Sequence, residues 1–304
     1  MADQPFTTPI LFLIFNRPET TERVFQQIRK IQPRRLFISA DGPRKDKINE
    51  EQKCIETQNI IEKIDWDCEL KTNYSEKNLG CRVGVSSGIN WFFRSVSEGI
   101  ILEDDCLPDI SFFHFCKTLL EYYRNDERIM HIGGANFQDG NRRGDGSYYF
   151  SSFNHVWGWA TWKRAWKLYD VEMKSYPERL QQGLLYQLYP EPAIRCYWKK
   201  NFDLVFENRK DTWDFQWQYA SAINHGLSII PNTNLITNIG FDANATHTID
   251  HSHSLANMPT NAIQDIIHPT TITLEKKADE YVFRHYLSPP RWRKVRSLIR
   301  RIFY

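Results

Sequence analysis

The run Gly99-Ile100-Ile101-Leu102 is apolar enough to be a buried strand, and it ends in three carboxylates, Glu103-Asp104-Asp105. Acidic groups are costly to bury unless positive charge compensates them. Hard carboxylate oxygens suit Mg²⁺ or Mn²⁺, above all where a nucleotide diphosphate supplies further oxygens. Helix capping is the rival reading: Asp105 or Asp109 could cap a helix starting near Ser111. Capping uses one acid and leaves the other two unexplained.

The elements that must position these acids follow a rhythm. Apolar runs at 9–15, 36–40, 69–73, 99–102 and 129–133 read as strands, and helical spacing recurs at 20–31, 49–64, 83–96 and 111–123. This alternation predicts an α/β fold class, a mostly parallel Rossmann-like sheet flanked by helices. Ligands of such sheets bind beyond the carboxyl ends of the strands. Standing there are Asn16-Arg17, Asp41-Gly42-Pro43-Arg44 and the acidic triplet. An Arg or two suits a diphosphate, a lone Asp a base or ribose, and the triplet a cation. Taken singly, Asp41-Gly42-Pro43 also reads as a plain turn and Arg17 as a surface charge.

Beyond residue 137 the rhythm stops. A polar loop at 140–146 precedes Val156-Trp157-Gly158-Trp159-Ala160-Thr161-Trp162. Trp-Gly-Trp can offer rings to a sugar, but Trp159, Trp162 and Trp166 also have the spacing of a helix packing inward.

The 304 residues, 41% hydrophobic and 14% aromatic, can form one large domain or two joined halves. Of 39 basic residues six fall in the last twenty, where there is no acid, so the body is mildly acidic and nucleic acid is not an expected partner. Six cysteines without a C-x-x-C pair predict reduced thiols and a cytoplasmic location. The apolar stretch 10–15 lacks a basic leader and reads as a strand, and no run is long enough to span a bilayer. In 291–304, Val295, Leu298, Ile299, Ile302 and Phe303 share one helical face with basic residues elsewhere. That pattern fits peripheral attachment to an anionic membrane surface at its inner face, or a terminal helix docked on its own domain.

In order, Pro9 to Arg17, Ser39-Ala40-Asp41-Gly42, Asn78-Leu79-Gly80, Ile101 to Asp105, Trp157-Gly158-Trp159 and Trp213-Asp214 resemble the landmarks of GT-A nucleotide-sugar glycosyltransferases. The resemblance is nearest to N-acetylglucosaminyltransferase I and its bacterial relatives, over roughly residues 8–250. It implies a domain at 1–250, with a nucleotide-sugar half at 1–136 and an acceptor half at 137–250, and an extension at 251–304. It implies a UDP-sugar donor, a glycan or lipid-linked glycan acceptor, Mn²⁺ or Mg²⁺, and inversion of configuration. Asp105 would bind the metal, with His247 as a phosphate or metal contact. Asn16, Arg17, Asp41, Asn78, Arg82, Glu103, Asp104 and Trp159 would surround the donor, Arg17 at the diphosphate and Asp41 at the uracil. Asp214 would deprotonate the acceptor hydroxyl, with Asp203, Glu207 and Asp211 as rivals; Asp214 could also merely favour a helix start after Thr212. A non-catalytic sugar-binding protein or a sugar nucleotidyltransferase are the alternatives. Against the latter, Asn16-Arg17-Pro18-Glu19 stands where a Gly-rich phosphate loop belongs.

Overall fold

The computed structural model describes residues 5–241 and 255–288. His247 and the tail 291–304 lie outside the described residues. The chain runs β1 (Ile10–Ile14), α1 (Pro18–Ile31), β2 (Arg35–Ala40), α2 (Glu50–Gln58), β3 (Glu69–Tyr74), α3 (Gly80–Ser95), β4 (Glu98–Glu103), β5 (Cys106–Pro108) and α4 (Ile110–Tyr122). It continues through β6 (Ile129–Gly133), β7 (Tyr148–Ser151), β8 (Trp159–Trp162), α5 (Lys163–Trp166), α6 (Tyr176–Gln181), α7 (Leu184–Leu188), α8 (Pro192–Phe206) and α9 (Asp214–Ile223). Then follow β9 (Leu227–Pro231), β10 (Ile236–Asn238) and α10 (Lys276–Val282).

Local chemistry sets several of these boundaries. Pro18 opens α1, where its missing N–H costs nothing, and Arg29 and Lys30 complement the dipole of its last turn. Asp109, not Asp105, caps α4: its carboxylate accepts from the Ser111 N–H at 2.8 Å. Asp105 is thereby left for another role.

The main sheet has the order β3-β2-β1-β4-β8-β6-β9-β7. Strands β3, β2, β1 and β4 are parallel, as are β6 and β9, while β8 runs antiparallel between β4 and β6 and β7 closes the edge antiparallel to β9. The mostly parallel α/β class predicted from the strand rhythm is the one observed. Every residue of β1 is buried, as expected of a strand covered on both faces. One face packs Phe12, Phe25, Ile38, Leu102, Phe112 and Phe115 beneath α1 and α4. The other packs Leu11, Phe37, Ile101, Phe92, Trp159 and Trp217 beneath α3, α5 and α9. A third cluster joins α6 to α9 around Tyr176, Trp198 and Phe202 and takes in Val282 of α10.

One expectation is corrected. Trp159 and Trp162 do pack inward as core residues, but from a strand and not from a helix. With a period of two, neighbouring side chains of a strand alternate. Trp159 therefore enters the α3/α9 core, and Trp162, three positions on, enters the core on the other face.

The chain passes β1, β2, β3 to one side and then crosses back to place β4 on the other side of β1. The carboxyl ends of β1 and β4 thus flank the topological switch point, where open α/β sheets form their ligand crevice. β5 and β10 form a separate antiparallel pair just beyond β4, with Asn238 opposite Cys106.

Candidate active site

A cleft of about 390 Å³ opens at this switch point. Arg17 follows β1, Asp41 and Arg44 follow β2, Glu103 ends β4, and Asp104 and Asp105 follow it; Asn78, Asp211 and Asp214 also line it. Three sequence-distant clusters therefore meet because parallel strands deliver their ends to one edge of the sheet.

Arg17 donates from Nη1 to Asp105 Oδ2 at 2.9 Å and stands 3.8 Å from Asp104 Oδ1. Asp104 accepts the Phe15 N–H at 3.2 Å, tying the end of β4 to the end of β1. Burial pushes the Glu103 carboxyl well above its ordinary range, and Asp105, Asp104 and Asp214 push it the same way. Three neighbouring acids thus oppose a charge on Glu103, and Arg17 favours it. The Ile239 N–H donates to the Asp105 carbonyl at 2.8 Å, and Gly240 lies against the carboxylate so closely that a Cβ there would meet Asp105 Oδ2 at 2.3 Å.

Asp214 opens α9. One carboxylate oxygen accepts the Thr212 hydroxyl; the other has no hydrogen bond among the described residues. Its rivals separate by geometry. Asp203 bonds Tyr176 and Lys199, and Glu207 pairs with Arg209; neither lines the cleft. Asp211 does line it, but accepts the N–H groups of Cys81 and Arg82, both at 3.0 Å.

The expected donor residues divide: Asp41 and Asn78 line the cleft but are engaged within the protein, whereas Asn16, Arg82 and Trp159 do not line it. The Asp41 carboxylate accepts from the N–H groups of Gly42, Leu79 and Gly80 and from Asn78 Nδ2. A carboxylate has about four acceptor positions, so these contacts use its capacity in holding the 78–80 loop. Burial raises its pKa, the backbone donors oppose that, and Asp211 adds to it. Asn78 spends both amide hydrogens, on Asp41 and on the Gly42 carbonyl. Asn16 donates to Glu50 Oε1 at 2.8 Å and does not line the cleft. Arg82 turns away from it, to Asn208 Oδ1 and the Val171 carbonyl. Trp159 is fully buried, stacked on His131 and Trp213, so it cannot face a ligand.

Trp157 takes the place expected of Trp159. Because β8 runs antiparallel to β4, the residues preceding β8 lie at the carboxyl end of β4. Val156 and Trp157 accordingly line the cleft, with the Trp157 ring nearly perpendicular to those of Phe137 and Phe241. Gly158 makes the turn between the two Trp, with φ +58°. Arg44 was visible beside Asp41 as a possible diphosphate contact; here its guanidinium is held by Glu50, a carboxylate only 4% exposed. Gly240 and Asn238 carried no signal that sequence alone could read, because their importance is the close approach to Asp105.

Among the described residues no group of three or more His, Cys, Asp or Glu converges as a complete metal site, and no helix is long and apolar enough to cross a membrane. No protein-family model matches the chain, and no curated protein matches it by sequence. Among solved structures it is similar to mouse xyloside xylosyltransferase 1 in its apo form, with TM-score 0.38, 8% identity and 70% of this chain covering 80% of that one. HddC from Yersinia pseudotuberculosis gives 0.34, 11%, 52% and 78%, and a UDP-glucose pyrophosphorylase complexed with UDP-glucose gives 0.33, 9%, 54% and 79%. Likeness this loose carries no argument about function.

Proposed function

We propose that this protein is a nucleotide-sugar glycosyltransferase that inverts configuration at the transferred sugar, with a UDP-sugar as donor and a glycan or lipid-linked glycan as acceptor. The observation that supports this reading is the switch-point cleft itself. It gathers Arg17 and the Glu103-Asp104-Asp105 triplet from two adjacent parallel strands, and Asp214 from a helix start, around one space.

In this reading Arg17 faces the donor diphosphate, exchanging its bond to Asp105 for one to a phosphate oxygen. Asp214 takes the proton of the acceptor hydroxyl through the oxygen that Thr212 does not occupy. The hydroxyl oxygen then bonds to the anomeric carbon as the carbon–oxygen bond to the nucleoside diphosphate breaks on the opposite face. Trp157 offers a ring face to a sugar, with Phe137 and Phe241 fixing its orientation.

In this reading the acidic set suits a divalent cation that diphosphate oxygens would help to hold, since among the described residues no complete site converges. The set consists of hard carboxylate oxygens crowded beyond what Arg17 neutralises, and Asp105 sits at the cleft with its side chain 20% exposed. Held by Asp105, Mn²⁺ or Mg²⁺ would supply charge compensation for the departing diphosphate.

The test is donor hydrolysis across UDP-, GDP- and dTDP-sugars with Mn²⁺, because it needs no known acceptor. One preferred donor is expected, with turnover lowered at least about 100-fold in Asp105→Ala. Asp214→Asn should keep nucleotide affinity and lose turnover. No reaction and no metal-dependent nucleotide binding in wild type would sink the reading, and a product that retains the donor's anomeric configuration by NMR would remove inversion.

A further inference from the structure

Helix α3 points its amino end at the cleft, where its first unpaired N–H groups would ordinarily make a phosphate site. Here they are already taken. Asp41 accepts the N–H of Leu79 at 2.8 Å and of Gly80 at 3.1 Å; Asp211 accepts those of Cys81 and Arg82, each at 3.0 Å. Two carboxylates from different parts of the chain thus consume four consecutive donors, so a ligand phosphate finds none of them free. Asp41 belongs to the turn after β2. Asp211 belongs to the segment that, one residue later, supplies the Thr212 hydroxyl bound to Asp214.

Two further features fit the clamp. Gly80 has φ +76°, and a Cβ at that position would stand 2.7 Å from Asp211 Oδ2, so the contact requires glycine. Past Asp214, Gln216 Nε2 donates to the Thr212 carbonyl at 2.7 Å and the Tyr169 hydroxyl to the Trp213 carbonyl at 3.3 Å, so residues 211–216 are held at both ends.

We infer that Asp211 is a positioning residue: by binding the amino end of α3 it fixes the 211–214 turn, and with it the carboxylate of Asp214, relative to the donor side of the cleft. This rests on the reading of Asp214 as the base. It also assigns the diphosphate to the β1/β4 side of the cleft.

Asp211→Asn and Asp211→Ala should be compared with wild type in three measurements: turnover of the preferred donor, UDP binding with Mn²⁺ by calorimetry, and amide hydrogen exchange. Positioning predicts that kcat falls by about 30- to 100-fold, since a displacement near 1 Å can cost that much. UDP affinity and stoichiometry should stay within about threefold. Exchange should accelerate at Cys81 and Arg82 while Leu79 and Gly80, held by Asp41, stay protected. A merely structural residue would lower the UDP stoichiometry along with the rate. Unchanged kcat in both variants, or loss of UDP binding in proportion to turnover, would overturn the positioning role and leave the proposed function standing. If wild type turns over no donor, the base assignment of Asp214 falls and the positioning role falls with it, whatever the exchange pattern.

Discussion

Trp157 and Trp159 differ by two positions and have opposite fates. Strand alternation would give them the same side, but Gly158 at φ +58° breaks the extended path before β8 begins. A Cβ on Gly158 would meet Ile236 at 2.4 Å, so the turn is also closed to larger residues. Trp159→Ala should therefore destabilise the fold by about 3–5 kcal/mol in urea unfolding, the cost of a large buried ring and its cavity. Trp157→Ala, at the cleft, should cost less than half of that; equal losses would contradict the placement of one ring in the core and the other at the cleft. Among the acids, chemical type did not distinguish Asp211 from Asp214. Their hydrogen bonds do, because one carboxylate is spent on backbone donors and the other keeps an oxygen without a bond.

At the scale of elements, the first four parallel strands and the helices between them were legible because each is a long, strongly periodic run. The pairing of β5 with β10 was not: strands of three residues have no readable period, and they are joined across more than a hundred residues. That pair nevertheless shapes the site, since it carries the chain through Asn238 to Gly240 over Asp105. The Asn238 side chain accepts the Gly240 N–H at 2.9 Å and fixes this crossing. Gly240→Ala should push Asp105 and Arg17 apart, because the added carbon would meet Asp105 Oδ2 at 2.3 Å and Arg17 Nη1 at 2.8 Å. Donor turnover is expected to fall at least about tenfold while global stability drops by about 1–3 kcal/mol, the range of an added carbon in a packed site. Unchanged turnover would show that the crossing does not hold Asp105 in place.

The whole molecule carries buried titratable groups that set its response to pH. Burial pushes His131 down to about 3 and His155 down to about 4. Trp217 Nε1 donates to His131 Nδ1, so the other ring nitrogen bears the proton and donates to the His155 carbonyl. Below pH 6.5 the unfolded chain binds these two protons and the folded chain does not, so the stability they allow at pH 7 is lost on acidification. By pH 5 the loss is about 2 kcal/mol for each. Asp279 acts with the opposite sign. Burial pushes it up to about 6 against the bonds from Ser151 and Ser152, so as pH falls through 6 the folded state takes up a proton that the unfolded chain does not yet bind, and stability grows. Glu103 shares that sign. The difference in slope between variants therefore carries the prediction: from pH 7 to 5, His155→Gln should lose less stability than wild type and Asp279→Asn more. The reverse order in urea titrations would refute the assignments.

The α/β class and the strands that lead into Arg17, Asp41 and Glu103-Asp104-Asp105 were legible along the chain, because they follow from local periodicity and from charge placed at a strand end, whereas Asp214 was singled out only by resemblance and had three rival acids. It took the folded chain to show that Asp41 and Asp211 share the amino end of α3, that Arg82 turns from the cleft, and that Trp157 rather than Trp159 borders it. Each of these depends on which distant backbone N–H, carbonyl or ring lies within about 3–6 Å of a side chain. Such distances are set by strand order and crossing direction, which leave no trace in spacing along the chain.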